Sequence, residues 1–292
     1  MAERLRVDFD FDGPVRKTWE TLGPYSEEFS KEIANKYSAP FQEVHSRVDA
    51  NIGVVLSQSG IFGLKSKGVV SVPAEADAFI LYQAAVKLFF EDEKNSGIRF
   101  PETGEEIEEE LKRIHFLVHP KIPTIYQDYA DKALRELQAT TDFSIITNSK
   151  RGKLAEKNTV LGSLAQLLKS EEEALEFNLI GDASKQKLVP EWNLYRQFKK
   201  IDTFPGDGLV YLNRPYYYDA MMKAGKGLNP DVAVGDVYHL DLALPEEMGV
   251  YTILVASDHT PKYFLDYYRN HPNGKAFRTL GEITHQIAKM RK

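Results

Sequence analysis

Hydrophobic and polar residues alternate between Leu5 and Phe11, with Leu5, Val7, Phe9 and Phe11 on one side and Arg6, Asp8 and Asp10 on the other. A period of two predicts a strand, and Asp12-Gly13-Pro14 predicts the turn that ends it. From about residue 18 the spacing becomes helical, with helices predicted over 19–37, 74–90 and 105–119. In the last of these, Ile107, Leu111, Ile114 and Val118 recur at intervals of four, three and four and share one face. Glu108 with Lys112 and Glu109 with Arg113 add i,i+4 ion pairs on its exposed side. The Gly- and Ser-bearing stretch 53–72 predicts loops with a short strand pair.

Beyond about residue 121, strands and helices take turns. Helical patterns cover 122–137, with Pro123 in the first turn, and then 160–177, 216–226, 263–270 and 280–290. Apolar runs between them predict strands over 143–147, 209–212, 232–234 and 251–256. Such alternation predicts an α/β fold, an open doubly wound parallel sheet joined by helical crossovers. The organisation expected is a core formed by 1–17 and 121–292, with the mostly helical stretch 18–120 inserted after the first strand.

Composition narrows the classes of function. Of 292 residues, 42% are hydrophobic and 27% charged, as in ordinary globular domains, so wholesale disorder is excluded. The 37 Lys and Arg against 43 Asp and Glu leave a net charge of −6, which argues against nucleic acid as a partner held by a basic footprint. No apolar run approaches the roughly 18 residues needed to span a bilayer, and the start MAERLRVDFDF lacks the apolar stretch of a signal peptide. A soluble, cytoplasmic protein without membrane partners is expected. The absence of cysteine removes disulfides, thiolate catalysis and cysteine-held metals, so a metal would need oxygen or imidazole ligands.

In a doubly wound sheet, ligands bind outside the carboxyl ends of the strands. The first predicted strand ends in Asp10-Phe11-Asp12-Gly13, the second in Thr147-Asn148-Ser149. The third is followed by Asn213-Arg214-Pro215 and the fourth by Gly235-Asp236, with Asp241 five residues on. Carboxylates in oxygen-only surroundings suit a hard cation such as Mg²⁺, which takes one or two protein carboxylates together with phosphate oxygens.

Taken together, these four strand ends resemble the motifs of the haloacid dehalogenase (HAD) superfamily of phosphotransferases. The first motif matches Val7 to Val15, the second Ile145-Ile146-Thr147-Asn148, the third Arg214-Pro215, and the fourth Gly235 to Asp241. The resemblance covers the chain from about residue 5 to about residue 288 and implies a mechanism. Asp10 is the implied nucleophile and Asp12 the implied general acid/base. Mg²⁺ is held by Asp10, the Asp12 main-chain carbonyl and Asp236, with Asp241 in support. Thr147, Asn148 and Arg214 bind the phosphoryl oxygens, and 18–120 is a helical cap. The reading has physical sense of its own, because a carboxylate attacks a dianionic phosphate poorly until charge is neutralised. The function expected is a Mg²⁺-dependent phosphatase acting on a small phosphorylated metabolite through an aspartyl phosphate. A phosphomutase, or a HAD-fold binding or regulatory protein with little turnover, is the alternative. Asp12 disfavours a dehalogenase, which lacks this acid/base.

Two departures stand out. Pro14 occupies the place where the family usually has Thr. The long interval between the second and third motifs makes Lys187, in Ser184-Lys185-Gln186-Lys187, a rival for the basic role; Arg214 is preferred because one helix and one strand fit between it and Asp236. Other features have plainer readings. Gly60 to Ser66 lacks the spacing of a phosphate loop, and His115 and His119 have metal-ligand spacing but Phe116 where a zinc protease needs Glu. They are expected to be packed or surface histidines. Tyr216-Tyr217-Tyr218 reads as helix packing, and Glu105 to Glu110 as the acidic first turns of a helix.

Overall fold

The computed structural model describes residues 4–58, 60–66, 69–92, 100–101, 103–157, 159–182, 196–197, 211–212 and 215–291. The chain divides into two compact units. One is drawn from Met1–Lys17, Thr124–Thr203 and Leu209–Lys292, and the described residues of the other fall in Thr18–Pro123.

The alternating start of the chain forms β1 (Arg6–Phe9) at the centre of a six-stranded sheet. Its companions are β4 (Asp142–Ile146), β5 (Asn178–Ile180), β8 (Val232–Gly235), β9 (Tyr251–Val255) and β10 (Gly274–Phe277), in the order β10-β9-β8-β1-β4-β5. Every pairing within this sheet is parallel, as the alternation of strands and helices predicts. Side chains alternate across it. Val7 and Phe9 enter an apolar core with Phe143, Ile145, Val232 and Val234, closed by α5 (Ala130–Thr140), α6 (Val160–Leu168) and α11 (Leu280–Met290). On the other face, Ile146 packs with Tyr217, Ala220 and Met221 of α8 (Pro215–Ala224), so Tyr217 has the packing role expected of it. The short α7 (Glu171–Glu176), α9 (Ala243–Glu247) and α10 (Lys262–Arg269) complete this unit.

The second unit packs α1 (Leu22–Tyr37), α2 (Phe41–Ser57), α3 (Ala78–Asp92) and α4 (Gly104–Val118) around an aromatic core that includes Tyr25, Phe29, Tyr82, Phe89, Phe90 and Phe100. The strand pair expected within 53–72 is β2 (Gly63–Ser66) with β3 (Val69–Pro73), antiparallel. α4 starts on a capping box, Thr103 with Glu106. Its surface pairing differs from the i,i+4 expectation. Glu108 reaches Lys87 at 3.0 Å, and Arg113 turns to the buried Glu110, which Lys36 also contacts at 2.6 Å. His115 is a packed histidine, its Nδ1 2.9 Å from the Tyr25 hydroxyl.

Four further expectations need correction. The helix read over 122–137 begins only at Ala130, because Ile125 to Gln127 pair with the segment after β1. Lys17 N–H donates to the Ile125 carbonyl at 2.8 Å and Gln127 N–H to that of Val15 at 2.9 Å, so tertiary pairing overrides local helical spacing. The helix read over 160–177 is broken at Lys169, which is left-handed at φ 54°, and Ser170 caps a new helix by accepting from Glu173 N–H. α2 occupies 41–57, where no helix is read, and carries Gly53 in its interior. The strand read over 209–212 does not belong to the main sheet: its described part, β7 (Tyr211–Leu212), pairs antiparallel with β6 (Arg196–Gln197) in a separate ribbon. The edge position beyond β4 goes instead to β5, which at three residues is too short to show a period. No helix among the described residues is long and apolar enough to cross a membrane.

Candidate active site

The central strands β1 and β8 lie side by side, with Phe9 opposite Val234. Asp10 N–H continues the ladder by donating to the Val234 carbonyl at 2.8 Å, so Asp10 emerges at the carboxyl edge next to Gly235-Asp236. There Asp10, Asp236 and Asp241 each bring a carboxylate oxygen to within 4.8 Å of the other two. Asp241 arrives on a single turn of π-helix, Tyr238–Leu242, a wide turn of the kind often found at functional sites. Its Oδ2 accepts from Val237 N–H at 3.0 Å, and its carbonyl accepts from the Tyr217 hydroxyl at 3.2 Å.

Two glycines make the approach possible. Gly13 sits at φ +84°, and a Cβ there would lie 1.9 Å from Asp236 Cγ. A Cβ on Gly235 would lie 2.2 Å from Asp241 Cβ. Any larger residue at either place would push a carboxylate out of the cluster. The Gly13 turn is held by its N–H donating to the Arg16 carbonyl at 2.7 Å and by Gln127 Nε2 donating to the Gly13 carbonyl at 2.8 Å.

Burial pushes the Asp10 carboxyl well above the usual carboxylate range, and the negative charges of Asp241, Asp12 and Asp236 raise it further, while the Phe11 N–H pulls the other way. Clustered, largely buried carboxylates repel one another unless a cation sits among them. The donor set is all oxygen, and its spacing is compatible with the octahedral sphere of a small hard cation. Asp10, Asp236 and Asp241 therefore fit Mg²⁺ by the chemistry of their donors.

Asp12 is placed differently from the other three. Its carboxylate is outside the cluster and is gripped from two sides, by the guanidinium of Arg16 and by the Ser149 hydroxyl, which donates to Oδ2. Thr147, directly after β4, is fully buried; its N–H donates to the Ile180 carbonyl at 3.0 Å and its Oγ1 accepts from Ser149 N–H at 3.2 Å. Asn148, between them, is half-buried. Pro14 is buried in the turn after Gly13. Arg214 and Lys187 both lie outside the described residues. The helix and strand expected between Arg214 and Asp236 are present as α8 and β8, although the strand read just before Arg214 is not part of the main sheet.

Sequence reasoning missed Arg16 and Ser149. The signal for Arg16 was present, a charged residue four positions after Asp12 in the otherwise uncharged turn Gly13-Pro14-Val15. Ser149 was seen only as part of a polar cluster. Asp8, in the sequence only a polar position of the first strand, is 4% exposed, and its Oδ2 has no hydrogen-bond partner among the described residues.

No family model matches the chain, and no curated protein matches it. Solved structures do. The chain is similar to a HAD phosphatase from Thermococcus onnurineus, with 15% identity, a TM-score of 0.46 and 97% of each chain covered. It is similar to a haloacid dehalogenase-like family hydrolase from Xanthomonas campestris at 14% identity and TM-score 0.46, covering 99% of this chain and 92% of that one. It is also similar to a 2-haloacid dehalogenase from Pseudomonas syringae pv. Tomato DC3000 at 13% identity and TM-score 0.44, covering 97% and 98%.

Proposed function

We propose that this chain is a Mg²⁺-dependent phosphatase of the HAD superfamily, hydrolysing a small phosphorylated metabolite through an aspartyl phosphate. The observation that carries the reading is the meeting of Asp10, Asp236 and Asp241 at the carboxyl edge of β1 and β8, with Asp12 held separately one turn away. Two carboxylates of one turn are thereby given two roles. Asp10, in the cluster, is the nucleophile. Asp12, outside it, moves protons.

Mg²⁺ held by Asp10, Asp236 and Asp241, with the Asp12 carbonyl, would neutralise negative charge on the phosphoryl group. Asp10 attacks phosphorus as the bond to the leaving oxygen breaks, and Asp12 delivers a proton to that oxygen. Asp12 then takes a proton from water as the water oxygen attacks phosphorus and the Asp10 ester breaks. Thr147, directly after β4, and Asn148 bind phosphoryl oxygens, together with a basic side chain for which Arg214 and Lys187 are the candidates. In this reading 18–120 is a cap domain inserted into a core of 1–17 and 121–292, and Asp12 separates the chain from dehalogenases.

Phosphate release from 4-nitrophenyl phosphate, with Mg²⁺ and with chelator, tests the reading. Asp10→Asn should abolish turnover and leave the circular dichroism spectrum unchanged, because an amide matches the carboxylate in size but accepts no phosphoryl group. Retention of more than about a tenth of the activity would remove Asp10 from the nucleophile role.

A further inference from the structure

Arg16 is the only arginine of this turn and is 6% exposed. A buried guanidinium is costly unless it is paired, and this one is paired with the Asp12 carboxylate. Its backbone is fixed as firmly as its side chain. Arg16 N–H donates to the Phe11 carbonyl at 3.0 Å, the Arg16 carbonyl accepts from Gly13 N–H at 2.7 Å, and Arg16 bridges to Tyr126. The guanidinium also lies 6.0 Å from the centre of the Phe11 ring, a cation–π contact on the residue between the two aspartates.

With Arg16 on Oδ1 and the Ser149 hydroxyl on Oδ2, Asp12 is tied to two elements at once, the turn after β1 and the segment after β4. A carboxylate that served only as a surface turn residue would need neither clamp. One that must present an oxygen to a leaving group and then to water needs a fixed rotamer, since small displacements of a proton-transfer group are expensive in rate.

Resting on the phosphatase reading, we infer that Arg16 and Ser149 are positioning residues that orient the Asp12 carboxylate for proton transfer, and that Arg16 acts through Asp12 without contacting substrate. Bond by bond, phosphorus–oxygen cleavage passes its electron pair to the leaving oxygen, which takes the Asp12 proton. In the second half, water gives Asp12 a proton and phosphorus an oxygen, and Asp10 recovers its carboxylate. Arg16 exchanges no proton in either half.

The test uses two substrates that need that proton to different degrees. A nitrophenolate leaves without protonation, whereas an aliphatic alkoxide requires it. In the full-length protein with Mg²⁺, Arg16→Met should lower kcat for an alkyl phosphate by about 10²-fold. With 4-nitrophenyl phosphate the same variant should still give a burst of phenolate and a phosphorylated Asp10, seen by intact-protein mass spectrometry, and then stall at hydrolysis. Arg16→Lys keeps the charge but not the planar fork and should recover part of the alkyl-phosphate rate. Ser149→Ala should shift the two substrates in the same direction by a smaller factor. It also serves if Arg16→Met does not fold.

Loss of the phenolate burst and of phosphorylated Asp10 along with the alkyl-phosphate rate, with Arg16→Lys no better than Arg16→Met, would make Arg16 structural and overturn the inference. Unchanged rates would overturn it as well. Failure of the phosphatase reading looks different: wild-type protein would release no phosphate from either substrate and form no phosphoenzyme, and the role given to Arg16 would fall with it.

Discussion

The two faces of the central sheet follow different rules. One carries Val7, Phe9, Phe143, Ile145, Val232 and Val234, all at most 7% exposed, and packs as a continuous apolar core. On the other, the strand registers align Asn178, Ser144, Asp8, Ala233 and Thr252 in one row across five strands. Parallel sheets are ordinarily apolar on both faces, so this polar row has a cost. Its place explains it. Asp10 stands two residues beyond Asp8 and therefore on the same side of β1. The polar row runs one pleat behind the carboxylate cluster, while the apolar face secures the strands whose ends carry the site.

The comparison is sharpest at Asp8. Burial pushes its carboxyl up from 3.8 to about 8, with Arg6 opposing only in part. The native state therefore holds a proton that the unfolded chain has already lost. Stability from this group is complete below about pH 4 and is lost as pH rises to about 8, an effect on the order of 5 kcal/mol across the full window. Asp8→Asn should match wild type near pH 4 and be more stable at pH 8, as read by urea denaturation at several pH values in chelator. Parallel pH slopes for the two proteins would show that Asp8 finds a partner for its charge.

Next in size is a pair of neighbours on β4 that point to opposite faces. Ile145 is fully buried in the apolar core, so Ile145→Ala should cost about 2–5 kcal/mol. Ser144 accepts a hydrogen bond from Asn178 Nδ2 at 2.9 Å, and Ser144→Ala should cost about 1 kcal/mol. Denaturation midpoints in one buffer give both values. Similar losses at the two positions would mean that the faces share the load.

The same contrast explains what could be read from the sequence. The apolar face announces itself by period, since Val7 and Phe9 alternate with polar residues and the run at 143–146 is apolar. The parallel sheet followed from such patterns, and the residues that meet at the carboxyl edge were visible as strand-end signals. Short or tertiary-determined pieces were not. β5 has three residues, β7 leaves the main sheet, and 122–129 gives up a helical pattern to pair with the turn after β1. Asp8, Arg16 and Ser149 were illegible as a set because their meaning lies in which side chains face one another, and no spacing rule joins residue 16 to 149. Arg214 and Lys187 lie outside the described residues, so the basic partner still rests on motif order.

The polar row continues farther along the sheet, on β9. Thr252 is fully buried and its Oγ1 accepts from the Tyr268 hydroxyl of α10 at 3.0 Å. The two halves of this bond should not be equal under mutation. Thr252→Val removes the acceptor and leaves a phenolic O–H unsatisfied at a residue only 3% exposed, which costs the desolvation of that group, about 1–3 kcal/mol. Tyr268→Phe removes the donor and leaves a threonine hydroxyl that can rotate its own hydrogen toward another acceptor, so the loss should be about 1 kcal/mol or less. The double variant removes both polar groups and should be no worse than Thr252→Val alone, because nothing unsatisfied remains. Thermal denaturation of the three variants measures the order. If Tyr268→Phe proved the more damaging single change, the buried Thr252 hydroxyl would be the group that cannot find another partner, and the expected order would be reversed.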